Sequence, residues 1–252
     1  MQEEVNVTIC GLGYFGHKKE VAIGELLNNG YYKMTNIVED IDLHFVSKNT
    51  HYTDESGEGP LEILGNRIYV IGRVEDKQTI LVNYSGRNKG LYLVNTACAL
   101  ANLLTIEYST YIDSNANIGT ETGDNVPEQL DVVLCGLQGY FVNKMLLPCD
   151  SKQVSKYADV LDHITAANIK DTNIKGLMQV IGSDIAVGRL LSKRLKDDLI
   201  KEDENFYNRL VELETMLSTA FNAVYTRQKI NDLLYFNINN QLKMINNYLN
   251  KH

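Results

Sequence analysis

The first segment of this chain that could do chemistry is rich in glycine and lies near the amino terminus. Residues 5–10 are a largely apolar run, and the six residues after it, Gly11-Leu12-Gly13-Tyr14-Phe15-Gly16, place glycines at the spacing Gly-x-Gly-x-x-Gly. Glycines at this spacing let the backbone turn tightly and point its N–H groups at a phosphate where a helix begins. We therefore predict a strand, a tight loop and a helix start that together could hold a pyrophosphate.

The elements after this loop follow the order of a dinucleotide-binding unit. Residues 20–27 have a helical pattern, and residues 32–38 have a strand pattern that leads to Glu39 and Asp40. This region resembles the Rossmann fingerprint, in which an acidic residue about 20 positions after the last glycine binds the ribose. The resemblance implies NAD or another nucleotide as cofactor, with Asp40 on the ribose. The residues it implies for the pyrophosphate are Gly11, Gly13 and Gly16.

Three features of the same region depart from that fingerprint. Glu20 stands where a small residue is expected for close packing of the helix on the sheet. The candidate helix has about two turns, which is short for a crossover between parallel strands. No second run of strand, helix and strand follows Asp40. A purely architectural role for the loop therefore stays open.

A near-copy of the loop occurs in the middle of the chain. Residues 132–141 repeat the Cys-Gly-Leu and Gly-Tyr-Phe pieces of residues 7–16 but lose the three-glycine spacing. Losing that spacing would abolish phosphate binding, whereas a strand, a turn and an aromatic pair would survive it. The repeat therefore favours an architectural role over a cofactor role, and chance similarity over so few residues is a third interpretation.

A second glycine loop, with two cations, lies between the strand-like residues 80–84 and the apolar residues 91–112. A strand, a cationic loop and a helix start form an anion site, because oriented N–H groups, a helix dipole and side-chain charges act together. A solvated turn is the alternative, since turns use the same residue types. The candidate residues for an anion are Gly86, Arg87, Lys89 and Gly90.

The composition argues against several classes of function. The chain has 252 residues, a formal charge of -8 and a pI near 5.2, which does not indicate a nucleic-acid binder. Its four cysteines form no Cys-x-x-Cys pair, so we expect free thiols in a reducing compartment. There is no signal-peptide pattern and no run of about 18 apolar residues, so we expect a cytoplasmic protein that does not enter a membrane.

Motifs for metal binding and catalysis are missing from the sequence. Residues 113–124 carry oxygen ligands at several calcium-loop positions, but Ile118 stands where the turn glycine belongs. The sequence contains no cysteine and histidine set with zinc-ligand spacing, no Gly-x-Ser-x-Gly motif of a hydrolase nucleophile and no protein-kinase signature. We therefore predict no metal site and no catalytic residues.

The carboxyl-terminal part has a helical pattern, with a first candidate helix at residues 151–167. After Gly188 there is neither glycine nor proline, the two residues that cost a helix about 1 and 3 kcal/mol. An apolar stripe at helical spacing follows, which suits packing against another helix or a neighbouring subunit. The candidate oligomer contacts are Phe206, Leu210, Leu213, Leu217 and Val224.

Together these patterns predict an α+β fold. A β-containing part at residues 1–150, with a hairpin from residues 67–74 and 79–84, precedes an all-helical part at residues 151–252. The two parts are either separate domains or one continuous unit.

The function that we expect from the sequence is that of a non-enzymatic assembly subunit that forms homo-oligomers. The absence of a catalytic motif, the repeated segment and the glycine-free helical end favour this interpretation. One concrete form is a viral virion component, such as the head–tail connector ring protein of a tailed phage, found in the host cytoplasm or in the virion. The alternatives are a nucleotide- or NAD-binding protein that uses the first glycine loop, and an anion-binding regulatory module that uses the second.

Overall fold

The computed structural model describes residues 6–13, 16–53, 61–75, 77–113, 128–149 and 164–250. The chain divides into two compact units, Met1–Leu100 with Met145–Lys156 and Ala101–Lys144 with Tyr157–His252. The amino-terminal strands form a sheet and the carboxyl-terminal part is helical, which confirms the α+β class. The predicted boundary at residue 150 lies outside the described residues, as does most of the helix predicted at residues 151–167.

The first unit is built around a four-stranded sheet. The described strands are β1 (Val7–Cys10), β2 (Ile41–Val46), β3 (Thr50–Tyr52), β4 (Leu61–Ile63), β5 (Tyr69–Val74) and β6 (Lys77–Asn83). The order in the sheet is β1-β2-β6-β5, and β3 and β4 form a separate antiparallel ribbon. The strands β1, β2 and β6 are parallel, whereas β5 and β6 form the predicted antiparallel hairpin. Three parallel strands therefore end at one edge of the sheet.

The connection from β1 to β2 stays helical for longer than the sequence predicted. Helix α1 (His17–Leu26) continues through a π-helical segment, Leu27–Tyr31, and a final turn, Tyr32–Met34. The strand predicted at residues 32–38 is therefore wrong. The physical reason is that buried side chains recur at helical spacing through the whole segment, at Ile23, Leu26, Tyr31 and Met34.

Long helices account for most of the remaining described residues. They are α2 (Tyr92–Tyr108), α3 (Glu128–Leu146), α4 (Ile174–Ala186), α5 (Lys196–Tyr225) and α6 (Asp232–Leu249). Helix α5 is interrupted at Asp203, whose φ of -162° and ψ of 97° are not helical. The Oδ1 atom of Asp203 accepts a hydrogen bond of 3.0 Å from the Phe206 backbone N–H. Asp203 therefore caps the longer, second segment of this helix.

The near-copy of the glycine loop is part of a helix. Residues 132–141 lie inside α3, so the predicted strand and turn are wrong there. A Cβ atom on Gly182 of α4 would lie 1.8 Å from the carbonyl oxygen of Gly136, and one on Gly139 would lie 2.3 Å from that of Gln179. These glycines let two helix backbones approach closely. The packing gain outweighs the roughly 1 kcal/mol that each glycine costs a helix.

The apolar stripe of α5 is buried inside the chain. The Phe206 side chain is 2% exposed, and its ring stacks on the ring of Tyr248 in α6 with the centroids 4.3 Å apart. The other members of the stripe are fully buried: Leu210, Leu213, Leu217 and Val224. Helices α4 and α6 of the same unit pack against α5. The stripe is therefore core, and its prediction as an oligomer contact is corrected here because these side chains are not available to a partner.

Among the described residues, one segment, Gly86–Tyr111, is long and apolar enough to cross a membrane by length and composition alone. More than half of its most apolar stretch is buried inside the protein. The core helix of a soluble protein has the same properties, so this segment does not assign a location.

Candidate functional site

The carboxyl ends of β1, β2 and β6 meet at one edge of the sheet, and the loops after these strands enclose a cleft. Ligands of open parallel sheets bind most often at this edge. The cleft has a volume of about 490 Å³, which falls in the range of roughly 300–1,000 Å³ for small-molecule sites. Its walls come from the loops at residues 11–13 and 84–86, from the end of β2 with Ser47, and from Lys19 and Lys89.

The loop after β1 follows the shape that its glycines predict. Gly11 and Gly13 have φ angles of +89° and +74°, which favour glycine. A Cβ atom on Gly11 would lie 2.1 Å from the carbonyl oxygen of Phe45, so the loop passes directly over the end of β2. The Gly16 N–H donates a hydrogen bond of 2.8 Å to the Gly13 carbonyl oxygen, and α1 begins one residue later. Gly11 and Gly13 line the cleft, whereas Gly16 is buried at the helix start.

The loop after β6 is held by Asn83, a buried residue at the end of that strand. Its Nδ2 donates to the Arg67 carbonyl oxygen at 3.0 Å, and its Oδ1 accepts from the Ser85 N–H at 3.1 Å and from the Ser85 hydroxyl at 2.6 Å. The chain then passes through Gly86, with a φ angle of +54°, into the 3₁₀ segment Gly86–Leu91 that precedes α2. Asn83 thus positions one wall of the cleft through side-chain hydrogen bonds.

Two lysines from different elements approach the same aromatic ring in the cleft. Lys19, in the first turn of α1, donates a hydrogen bond to the Tyr84 hydroxyl, and its Nζ lies 4.9 Å from the centre of the Tyr84 ring. Lys89, in the second loop, places its Nζ 5.8 Å from the centre of the same ring. The cleft therefore concentrates positive charge around Tyr84.

No described acidic side chain neutralises this pair of lysines. The residues that line the cleft include neither aspartate nor glutamate among the described ones. Glu20, one residue after Lys19, instead lies 3.9 Å from His17 Nδ1. Lys89 is exposed and Lys19 is partly exposed, so the described lining of the cleft has an excess of positive charge that faces solvent.

His44 lies next to the first glycine loop but adds no charge to it. It stands opposite Cys10 in the parallel register, and its ring centre lies 4.4 Å from that of Tyr52. Burial lowers the pKa of His44 below its usual value, although nearby Asp42 acts in the opposite direction. The imidazole is therefore neutral at pH 7, and the positive charge of the site comes from the lysines.

The structure does not bring Asp40 to the glycine loop. Asp40 precedes β2, and its Oδ1 accepts a hydrogen bond of 2.9 Å from the Asn6 N–H at the start of β1. Both positions are at the amino ends of parallel strands, which is the edge opposite the cleft. The residue at the cleft end of β2 is Ser47, so the ribose role that the resemblance implied for Asp40 is corrected.

Of the residues predicted for an anion in the second loop, Gly86 and Lys89 line the cleft. Arg87 is exposed, and neither it nor Gly90 is part of the cleft wall. The sequence treated the two glycine loops as separate sites, whereas the parallel pairing of β1 and β6 with β2 brings them together. Both loops directly follow a strand, and that shared position was the available signal for their meeting.

Among the residues of the cleft that sequence reasoning did not predict as site residues are Lys19, Ser47 and Tyr84. Ser47 could not be found because β2 was placed too early in the chain.

The possible calcium loop at residues 113–124 lies almost entirely outside the described residues. Within the described part of the chain, no three histidine, cysteine, aspartate or glutamate side chains group as metal ligands would.

The chain matches no protein-family model, no curated protein and no solved structure at a significant level.

Proposed function

We propose that this protein binds a small phosphate-bearing ligand, a nucleotide, in the cleft at the carboxyl ends of β1, β2 and β6. The observation that carries the proposal is the convergence of Lys19 and Lys89, from two different loops, on the ring of Tyr84 without a described carboxylate in the cleft. The two ammonium groups approach one ring from different elements, so an anion in the cleft would be attracted by both of them.

The rest of the cleft supports the same class of ligand. The glycine loop leaves space above Gly13, because a Cβ atom there would have no neighbour within 4 Å. A hydroxyl group that could donate to a phosphate oxygen is present on Ser47. The first turn of α1 reaches the cleft wall through Lys19. Glycine backbone, hydroxyl groups and lysines are the usual set of phosphate-binding groups.

Isothermal titration of the full chain with ADP at low salt tests the proposal. Replacing Lys19 or Lys89 with Gln removes a charge-assisted hydrogen bond worth about 1.5–3 kcal/mol, so each change should weaken ADP binding roughly tenfold to a hundredfold. Arg87→Gln is the matched control, because Arg87 lies in the same loop as Lys89 but outside the cleft wall. It should change affinity less than threefold.

Two results would contradict this proposal. One is that ADP, NAD and inorganic pyrophosphate all fail to bind the full chain at millimolar concentration. The other is that ADP binds equally well to the wild-type protein and to both lysine variants.

A second candidate is the homo-oligomeric assembly subunit expected from the sequence, with a virion component such as a tailed-phage connector ring as its concrete form. The observation that favours it is a pair of apolar side chains on α6, Leu233 and Phe236, which are 69% and 61% exposed. Exposed apolar groups of this size mark interaction surfaces when they cluster.

Size-exclusion chromatography with light scattering tests the assembly role. We expect a mass above that of the 28.4 kDa chain at micromolar concentration. The double change Leu233→Ser and Phe236→Ser should return the protein to a monomer, whereas Ile200→Ser on α5, where the side chain is 37% exposed, should not. A monomeric wild-type protein over the whole concentration range would count against this candidate.

A further inference from the structure

Building on the proposed ligand-binding function, we infer that the cleft selects a ligand that ends in a free terminal phosphate, as a nucleoside diphosphate does, over a dinucleotide such as NAD. The order of the strands, the residue at the end of β2 and the charge that the two lysines supply support this selection.

The strand order leaves no place for the second half of a dinucleotide. In doubly wound folds the dinucleotide lies across the point where the strand order reverses, with strands on both sides of β1. Here β1 is the outermost of the described strands of the sheet, and its one described neighbour is β2. On the far side, β6 is followed by β5, which runs antiparallel to it. The cleft therefore spans three parallel strands and contains no described reversal point.

The end of β2 lacks the group that recognises a free ribose in dinucleotide sites. That group is an acidic side chain, which accepts hydrogen bonds from the ribose hydroxyls. The residue in this place is Ser47, and Asp40 lies at the opposite edge of the sheet. ADP and NAD share the adenosine ribose, so without this contact the cleft distinguishes the two ligands by their phosphate groups.

The charge of the cleft matches a terminal phosphate. A free terminal phosphate carries about two negative charges near pH 7, because its second pKa is near 6. Each phosphate in the bridge of a dinucleotide has one ester bond and one anhydride bond, so it carries a single charge. Lys19 and Lys89 approach the Tyr84 ring from two elements and supply two positive charges. The pyrophosphate of ADP therefore carries about three negative charges, about one more than that of ADP-ribose or NAD, and the two lysines attract the more charged group more strongly.

The matched ligands for a test are ADP and ADP-ribose, which share the adenosine and the pyrophosphate. ADP ends in a free phosphate, whereas in ADP-ribose that phosphate is esterified. Isothermal titration of the wild-type chain should give at least tenfold tighter binding for ADP than for ADP-ribose or NAD. Lys89→Gln should reduce this preference to about threefold or less, because the additional negative charge of ADP then interacts with one lysine instead of two. Arg87→Gln should leave the preference unchanged.

Competition between inorganic pyrophosphate and ADP shows whether the nucleoside contributes to binding. Displacement of ADP by pyrophosphate at similar concentration supports recognition of the terminal phosphate alone, and weaker displacement supports recognition of the phosphate together with the nucleoside. Equal or tighter binding of ADP-ribose overturns the inference, and so does a preference for ADP that neither lysine substitution changes. In both of those cases lysine-dependent binding would still stand as the proposed function, whereas failure of every ligand removes both.

Discussion

The buried carboxyl group of Glu214 gives the sharpest prediction about stability. Glu214 lies on α5 and its side chain is fully buried. Its Oε1 accepts hydrogen bonds from the Leu191 and Ser192 N–H groups at 2.7 and 3.3 Å, and its Oε2 accepts from the Ser192 N–H at 3.2 Å and from the Ser192 hydroxyl. The carboxyl group therefore caps the helical turn Leu191–Arg194, whose first N–H groups would otherwise be unpaired.

Burial raises the pKa of Glu214 from 4.5 to about 7, and the nearby Asp184 carboxylate also raises it, although the hydrogen bonds from Leu191 and Ser192 act in the opposite direction. The unfolded chain thus loses this proton at lower pH than the folded chain does. Between the two pKa values, protons favour the folded state, so the free energy of unfolding should fall as the pH rises. A difference of this size corresponds to about 3 kcal/mol, lost between roughly pH 4.5 and pH 7.5.

Urea unfolding at several pH values between 5 and 8 measures this effect when the wild-type protein is compared with Glu214→Gln. Glutamine has nearly the same shape and cannot titrate, so the variant should lack this part of the pH dependence. Its amide N–H faces the Ser192 N–H, which adds a destabilisation that does not depend on pH. Ser192→Ala removes a hydrogen-bond donor that favours the ionised form of Glu214. In this variant the fall in the free energy of unfolding should therefore occur at higher pH.

Parallel pH profiles for the wild-type protein and Glu214→Gln would refute this reasoning. That outcome would mean that the N–H groups of the turn keep the carboxylate ionised and that desolvation does not dominate its pKa.

Two glycines in helices should respond in opposite ways to the same substitution. Gly182→Ala places a methyl group 1.8 Å from the Gly136 carbonyl oxygen, so α3 and α4 must separate. Thermal unfolding should then show that the free energy of unfolding falls by about 3 kcal/mol or more. Gly24→Ala in α1 meets no atom within 4 Å and should stabilise the protein by about 0.5–1 kcal/mol. A Gly182→Ala protein as stable as the wild type would contradict the close approach of the two helices.

The sequence predicted the local features of the cleft correctly where backbone chemistry decides them. The run before Gly11 is a strand, the loop turns through Gly11 and Gly13, and a helix starts directly after Gly16. The hairpin of β5 and β6 was also predicted, because two short strand-forming runs on either side of a polar turn have few other arrangements. Each of these features depends on residues within a few positions of one another.

Local sequence patterns gave a wrong prediction in two segments whose structure is decided by packing against residues far away in the sequence. Residues 32–34 have strand propensity, yet they extend the buried face of α1 and are helical. Residues 132–141 resemble the first loop in their letters, yet they are helical because Gly136 and Gly139 admit the backbone of α4. The residues that form these contacts are tens of positions away, and a local pattern contains no information about them.

By itself, the sequence determined the α+β class, the glycine loop with its helix start, and the presence of a long helical end without glycine or proline. Only the tertiary structure decided that β2 begins after Asp40, that the stripe of α5 is core, and that the two glycine loops face one cleft. The reason is that turn and helix preferences act over a few bonds, whereas strand order and burial are set by which distant apolar surfaces meet. The meeting of Lys19 and Lys89 at Tyr84 is a consequence of that strand order.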